Sequence, residues 1–186
     1  MSNLMIVDDF YTNPEEMREY ALSQDFNIAG NYPGLRTEKE QGPFFETLKA
    51  HFENLLNLKI TNWPGGYNTA YQFTTEEDKT WIHYDGTSHA AVVYLTPDAP
   101  ADSGTALYRH KETGIFRHTE DSAVDFNDVN SDERDWEKVA EVGNVFNRAV
   151  IYSGNYYHRS ARPGFGKCKA TGRLFQTFFF DAESKD

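Results

Sequence analysis

The residues best suited to chemistry in this chain are His83, Asp85 and His158. His83 and Asp85 sit in the run Lys79-Thr-Trp-Ile-His-Tyr-Asp85, whose pattern predicts a strand over 80–85. Side chains two apart on a strand leave the same face, so this pair can grip one ion together. His158 lies 73 positions beyond Asp85, after the apolar stretch Ala149-Val-Ile-Tyr152 and a turn at Ser153-Gly154. That hairpin would fold His158 back beside the pair. Two imidazoles and a carboxylate on one side of an ion leave its other side open to exogenous ligands, which suits Fe(II).

Three other His-x-acid pairs compete with this one: His51-Phe-Glu53, His110-Lys-Glu112 and His118-Thr-Glu120. His51 falls on an expected helix, where residues two apart face different sides. His110 and His118 fall in or beside a polar loop with no clear strand. Arg173 is a separate clue. It opens the run Arg173-Leu-Phe-Gln-Thr-Phe-Phe-Phe-Asp181, where period two aligns it with Phe175, Thr177 and Phe179. A guanidinium on an aromatic face needs an anion or solvent, and a carboxylate is its natural bidentate partner. Arg162 is a second candidate anchor, nearer to His158.

The supporting elements follow from periodicity and punctuation. Leu4–Phe10 reads as a strand. Asn13 then caps a helix begun by Pro14, with Glu16 placed to reach back and Met17, Tyr20 and Ala21 on its apolar face. Gly30–Gly34 reads as a loop. A second helix is expected over 43–56, with Phe44, Leu48, Phe52, Leu55 and Leu56 at helical spacing. Short strands follow near 58–63, 67–74, 80–85, 90–95, 104–109, 144–152, 156–161 and 172–181. A short helix is expected over 132–140, capped by Ser131. The expected fold is mainly β with N-terminal helices (α+β), around a double-stranded β-helix or jelly roll. One domain over 1–186 is expected, with 1–57 as helical support and 58–186 as the jelly-roll core. Such a barrel has a mouth that can hold a small ligand.

Composition bounds the rest. With 39% hydrophobic and 15% aromatic residues, 186 residues can bury a sizeable core. The formal net charge is −11, which repels phosphate backbones and argues against nucleic acid as a general partner. No run approaches the ~18–20 apolar residues of a membrane span. The N-terminal residues show neither a basic leader nor a long apolar stretch, so no secretory signal is expected. Cys168 is the only cysteine, which fits a reducing, cytoplasmic setting. Acid is concentrated over Glu120–Glu141. That stretch reads as a solvated loop and helix, or as a lid that prefers cationic or peptide substrates.

The ordered set His83-x-Asp85, His158 and Arg173 resembles the Fe(II)- and 2-oxoglutarate-dependent dioxygenases, above all their prolyl-4-hydroxylase-like branch. The flanking segments resemble the branch as well. Val7-Asp-Asp-Phe-Tyr-Thr-Asn-Pro-Glu-Glu16 looks like its opening strand and capped helix. Val92-Val-Tyr94-Leu-Thr96 resembles the strand after its metal pair. Ser103-Gly-Thr-Ala-Leu-Tyr108 is similar to its Gly-Gly-x-Thr-x-Phe hairpin, and Arg148-Ala-Val-Ile-Tyr152 to the strand before its distal histidine.

The resemblance implies that His83, Asp85 and His158 bind Fe(II), and that Arg173 holds the distal carboxylate of 2-oxoglutarate. It also implies that Tyr94 hydrogen-bonds the same carboxylate and that Tyr71 touches the cosubstrate. Dioxygen would be the oxidant, with succinate and carbon dioxide as by-products. Halogenating relatives lose the carboxylate ligand, so Asp85 favours hydroxylation of an unactivated C–H bond. The implied substrate is a peptidyl proline or other protein side chain, or a free small molecule. Two other readings stand beside this one: a non-catalytic jelly-roll binding module, and a cupin-like metalloenzyme that uses no 2-oxo acid.

Overall fold

The computed structural model describes residues 4–120 and 133–185. In chain order its elements are β1 (Leu4–Val7), α1 (Pro14–Ser23), β2 (Ile28–Gly30), β3 (Tyr32–Arg36), α2 (Gly42–Leu56) and β4 (Leu58–Asn62). Then come β5 (Tyr71–Thr74), β6 (His89–Tyr94), β7 (Thr105–His110), β8 (Trp136–Val142), β9 (Ala149–Tyr152), β10 (His158–Ser160) and β11 (Arg173–Ser184). Single-turn helices cover Ala101–Ser103 and Glu133–Asp135.

The strands form two antiparallel sheets. The larger runs β1-β9-β6-β11-β5-β3-β2, with β4 paired to the far half of β11; the smaller runs β10-β7-β8. The architecture is the expected jelly roll, mainly β with two helices. β11 is its spine. Its twelve residues pair with β5 first, then β6, then β4.

Alternation along β11 divides the large sheet into two faces. Leu174, Phe178 and Phe180 point to one side and pack under the helices with Phe10, Leu48 and Phe52. Phe52 sits 4.8 Å from the Phe178 ring and 5.2 Å from the Phe180 ring. Full burial of one such ring contributes roughly 1.5–3 kcal/mol. This is why α2 needs its apolar stripe, and α2 lies where the spacing placed it. α1 also begins at Pro14, but Asn13 does not cap it through its side chain; its amide donates to Glu16 instead. The other face of β11 carries Arg173, Phe175, Thr177 and Phe179 toward a cavity.

Three expected elements differ. Residues 80–85 form no strand, and His83 makes only an isolated bridge to His158. Residues 136–142 form β8 rather than a helix, because the edge of β7 recruits them; Arg109 lies opposite Glu137 and pairs with it at 2.6 Å. Ser131 and Asp132, the expected start of that helix, lie outside the described residues. A loop was expected over 30–34, but residues 32–36 form strand β3, hydrogen-bonded to β5. Of the acidic stretch, Glu133, Asp135, Glu137 and Glu141 are exposed, while 121–132 lie outside the described residues. No helix among the described residues is long and apolar enough to cross a membrane.

Candidate metal centre

His83, Asp85 and His158 come together without a shared strand. The backbones of His83 and His158 exchange hydrogen bonds of 3.0 and 2.8 Å, and the Asp85 N–H donates to the Gly154 carbonyl at 2.7 Å. The turn at Ser153-Gly154 therefore holds the segment that carries the first two side chains. A Cβ at Gly154 would meet the Thr87 carbonyl oxygen at 2.6 Å, so this close approach requires glycine.

One ligand atom from each residue lies within 4.8 Å of the others. His158 Nε2 is 3.2 Å from Asp85 Oδ2, and His83 Nε2 is 3.8 Å from Asp85 Oδ1. Each imidazole is fixed from behind. Nδ1 of His83 donates to the Trp81 carbonyl at 2.9 Å, and Nδ1 of His158 donates to the Tyr156 carbonyl at 2.7 Å. A carbonyl only accepts, so each Nδ1 carries the proton and each Nε2 turns a lone pair toward Asp85. Backbone-oriented imidazoles of this kind are typical of metal ligands.

Asp85 Oδ2 is buried and has no hydrogen-bond donor. An acceptor facing a second acceptor at 3.2 Å is unfavourable unless a proton or a cation lies between them. The electrostatics agree. Burial opposes charge on His158, but Asp85 beside it outweighs burial and raises its pKa. Burial opposes charge on Asp85 too, yet the two histidines and Arg36 hold its pKa below the ordinary value. Desolvation, then the charge of His158, lowers His83 to about 4. Two neutral imidazoles and one carboxylate fit a divalent first-row ion. Among the described residues no other such group occurs.

Arg173 lines the same cavity and is 2% exposed. Its Nε donates to the Ser103 carbonyl at 2.8 Å and one terminal nitrogen to the Gly104 carbonyl at 3.3 Å. Gly104 has to be glycine here, because a Cβ would meet the Val142 carbonyl oxygen at 1.8 Å. The guanidinium stands 4.3 Å from the Phe175 ring centre and 5.3 Å from that of Tyr94. No carboxylate among the described residues pairs with it. The Tyr94 hydroxyl lies beside it and shares a 2.7 Å hydrogen bond with Thr105. Arg162, the rival anchor, is exposed and pairs with Asp102 at 3.1 Å, away from the cavity lining.

Tyr71 is a correction. It points to the helix side of the sheet, in the core with Phe52 and Leu174, and its hydroxyl neighbours Glu40 and Tyr20. Its neighbour Gln72 faces the cavity instead. Pairing β5 with β11 aligns Gln72 with Phe175, and alternation then sends Tyr71 the other way. The rival histidines also lie elsewhere. His51 packs on Phe10, His118 stacks on Tyr84 at 4.0 Å, and His110, expected beside a loop, ends β7.

Three cavity residues had no distinct signal in the sequence. Tyr152 packs its ring 4.6 Å from that of His158. Thr105 supports Tyr94. Arg36 brings a second guanidinium, and it was hidden because Pro33 and Gly34 read as strand breakers.

A family model described as a family of unknown function, DUF6445, matches residues 1–180. This chain belongs to that family. No curated protein sequence matches it. Among solved structures, this DUF6445 protein is similar to HygX from Streptomyces hygroscopicus with nickel and 2-oxoglutarate bound. The TM-score is 0.61 at 11% identity, over 96% of this chain and 82% of that one. It is also similar to a prolyl hydroxylase from Trichoplax adhaerens in complex with a hypoxia inducible factor peptide fragment. There the TM-score is 0.57 at 12% identity, over 97% of this chain and 84% of that one. A third is the non-heme alpha ketoglutarate dependent epimerase SnoN from nogalamycin biosynthesis, with TM-score 0.57 at 13% identity over 94% of this chain and 76% of that one. The DUF6445 chain thus has the fold of the Fe(II)/2-oxoglutarate-dependent dioxygenases.

Proposed function

We propose that this protein is an Fe(II)- and 2-oxoglutarate-dependent dioxygenase that hydroxylates an unactivated C–H bond. One observation carries the reading. In a single cavity, two imidazole lone pairs converge on a buried carboxylate that has an unpartnered oxygen, and a buried guanidinium without an acid lines the same space. The first needs a cation, and the second needs an anion.

His83, Asp85 and His158 would hold the iron. When bound with 2-oxoglutarate and dioxygen, Fe(II) supplies the oxidising chemistry, with succinate and carbon dioxide released. Arg173 receives the distal carboxylate of the cosubstrate, its fork aimed by the Ser103 and Gly104 carbonyls. The Tyr94 hydroxyl, steadied by Thr105, donates to the same carboxylate. Fixing that end orients the 2-oxo acid toward the three ligands. Phe175, Phe179 and Tyr152 line the cavity and exclude water from it. The similar proteins act on or hold different ligands: a peptide fragment in one, and hygromycin B in another structure of HygX. A peptide side chain and a free small molecule are therefore both substrates the fold can serve.

The test is anaerobic titration with Fe(II) and then 2-oxoglutarate, followed optically and by succinate release once oxygen is admitted. A visible band that needs both additions supports the reading. Succinate production that survives in His83→Ala at the wild-type rate would overturn it.

A further inference from the structure

Arg36 is a second buried guanidinium in the cavity, and the proposed cosubstrate leaves it unused. It is 7% exposed and lies at the end of β3, directly opposite Gln72. Its Nε donates to Gln72 Oε1 at 2.7 Å, and Gln72 in turn donates its amide N–H to the Pro33 carbonyl at 2.6 Å. That relay fixes which amide atom faces Arg36. Among the described residues, neither terminal nitrogen has a hydrogen-bond partner, and no carboxylate pairs with the group. Its plane rests on aromatic rings, with the guanidinium carbon 3.8 Å from the Tyr32 ring centre, 5.1 Å from Tyr67 and 5.6 Å from Phe179. These rings soften the cost of burial but do not satisfy the N–H groups. Burial lowers its pKa to about 10, so it is charged at neutral pH.

The two cations occupy different parts of one wall. Arg173 sits against Phe175 and Arg36 reaches toward Phe179. Those rings are four residues apart on one face of β11, roughly 13 Å along a strand. A single 2-oxoglutarate places one end at the metal and the other on one guanidinium. Arg36 feels the charge of Asp85 but makes no ion pair with it, so its terminal N–H groups remain available to a second anion. Both guanidiniums line the same open cavity as His83, Asp85 and His158.

We propose that Arg36 is the recognition residue for a carboxylate on the prime substrate, and that the substrate is a small carboxylic acid such as a free amino acid. The proposal rests on the oxygenase reading for the identity of the other anion. Its geometric basis is a cavity-lining guanidinium with Nε tied to Gln72 and two terminal nitrogens without a partner among the described residues, a donor pair that matches the two oxygens of a carboxylate. A phosphate monoester has the same edge chemistry and is separated by experiment. The overall negative charge of the chain does not oppose this, because the field inside the cavity comes from the buried groups nearest to it.

The experiment measures ligand-induced shifts in Tm for the full chain loaded with Mn(II) and 2-oxoglutarate. The probes are the free amino acids and short aliphatic mono- and dicarboxylic acids, each beside its amide, with phosphate monoesters as a third arm. The expected result is that one or more acids raise Tm while their amides do not. Arg36→Gln should weaken that binding by about tenfold or more, and Arg36→Lys, which keeps charge but loses the fork, should be intermediate. In Arg36→Gln the affinity for 2-oxoglutarate itself should stay within about twofold, which also shows that the variant is folded. Four outcomes overturn the proposal: no acid binds better than its amide; Arg36→Gln binds the acid as wild type does; only phosphate esters bind; or Arg36→Gln loses 2-oxoglutarate instead. If the protein fails to take up Mn(II) and 2-oxoglutarate while acids still bind through Arg36, the oxygenase reading falls and the Arg36 site stands.

Discussion

His83 and His158 are locked to each other through their backbones, each donating its N–H to the other's carbonyl at 3.0 and 2.8 Å. This reciprocal pair joins residues 75 positions apart and sets their rings 4.5 Å apart. The separation of the two imidazoles is thus fixed by main-chain hydrogen bonds, before any ion binds.

The lone-pair geometry gives a sharp substitution. In Asp85→Asn, the amide can donate to His158 Nε2, replacing an acceptor–acceptor contact with a hydrogen bond. Above the pKa of His158, the metal-free variant should be about 1 kcal/mol more stable than the wild type. It should also bind Fe(II) at least about a hundredfold more weakly, having lost the anionic ligand. Paired thermal denaturation and metal titration read both effects, and a metal-free Tm below wild type would contradict the assignment of the lone pairs.

Metal affinity should depend on pH through His158. Its pKa is raised above the ordinary imidazole value by Asp85, and the imidazolium cannot bind a metal. Affinity is therefore complete above that raised value and falls as pH drops through it, with about one proton released per ion bound. His83, at about 4, does not compete in that range. Calorimetry in buffers of different ionisation enthalpy counts the protons. Release from two groups near neutrality would contradict the inequality of the two histidines.

Removing the Arg173 fork should separate cosubstrate binding from metal binding. Arg173→Gln is expected to raise the Kd for 2-oxoglutarate by about ten- to a hundredfold, or about 1.4–2.8 kcal/mol, while the metal Kd stays near the wild-type value. Arg162→Ala, which removes only an exposed pair with Asp102, should change the cosubstrate Kd by less than about twofold. The reverse ranking would move the anchor to Arg162.

Gly154→Ala tests how far the turn supports the site. Its new methyl group meets the Thr87 carbonyl at 2.6 Å, so the turn or the 85–87 segment must move. A loss of about 1–3 kcal/mol by chemical denaturation is expected, together with weaker metal binding, because the Asp85 N–H bonds to the Gly154 carbonyl. Full stability with full metal affinity would show that the contact relaxes freely.

Much of this site was legible in the residues themselves. Period two on β11 aligned Arg173 with Phe175, Thr177 and Phe179, and all four do line the cavity. The helical stripe through Leu48 and Phe52 also did what its spacing required. These are local patterns, set by neighbours in the chain. Tyr71 was misplaced for want of one long-range fact, the register of β5 on β11, since a shift of one residue reverses every side chain. The 136–142 segment was misread because its acid-rich pattern fits a helix locally, whereas the open edge of β7 imposes a strand.

The amino-acid sequence by itself determined which donors exist and their order: two imidazoles, one carboxylate, and a guanidinium opening an aromatic strand. Tertiary structure decided their meeting, and the means was not the expected strand over 80–85 but a single bridge between His83 and His158. It also decided that Arg36 shares their cavity, because β3 pairs with β5 and brings Arg36 opposite Gln72. Periodicity records which way a side chain points from its own backbone. Pairing between distant segments decides what it points at, and that depends on the closure of the two sheets around the cavity.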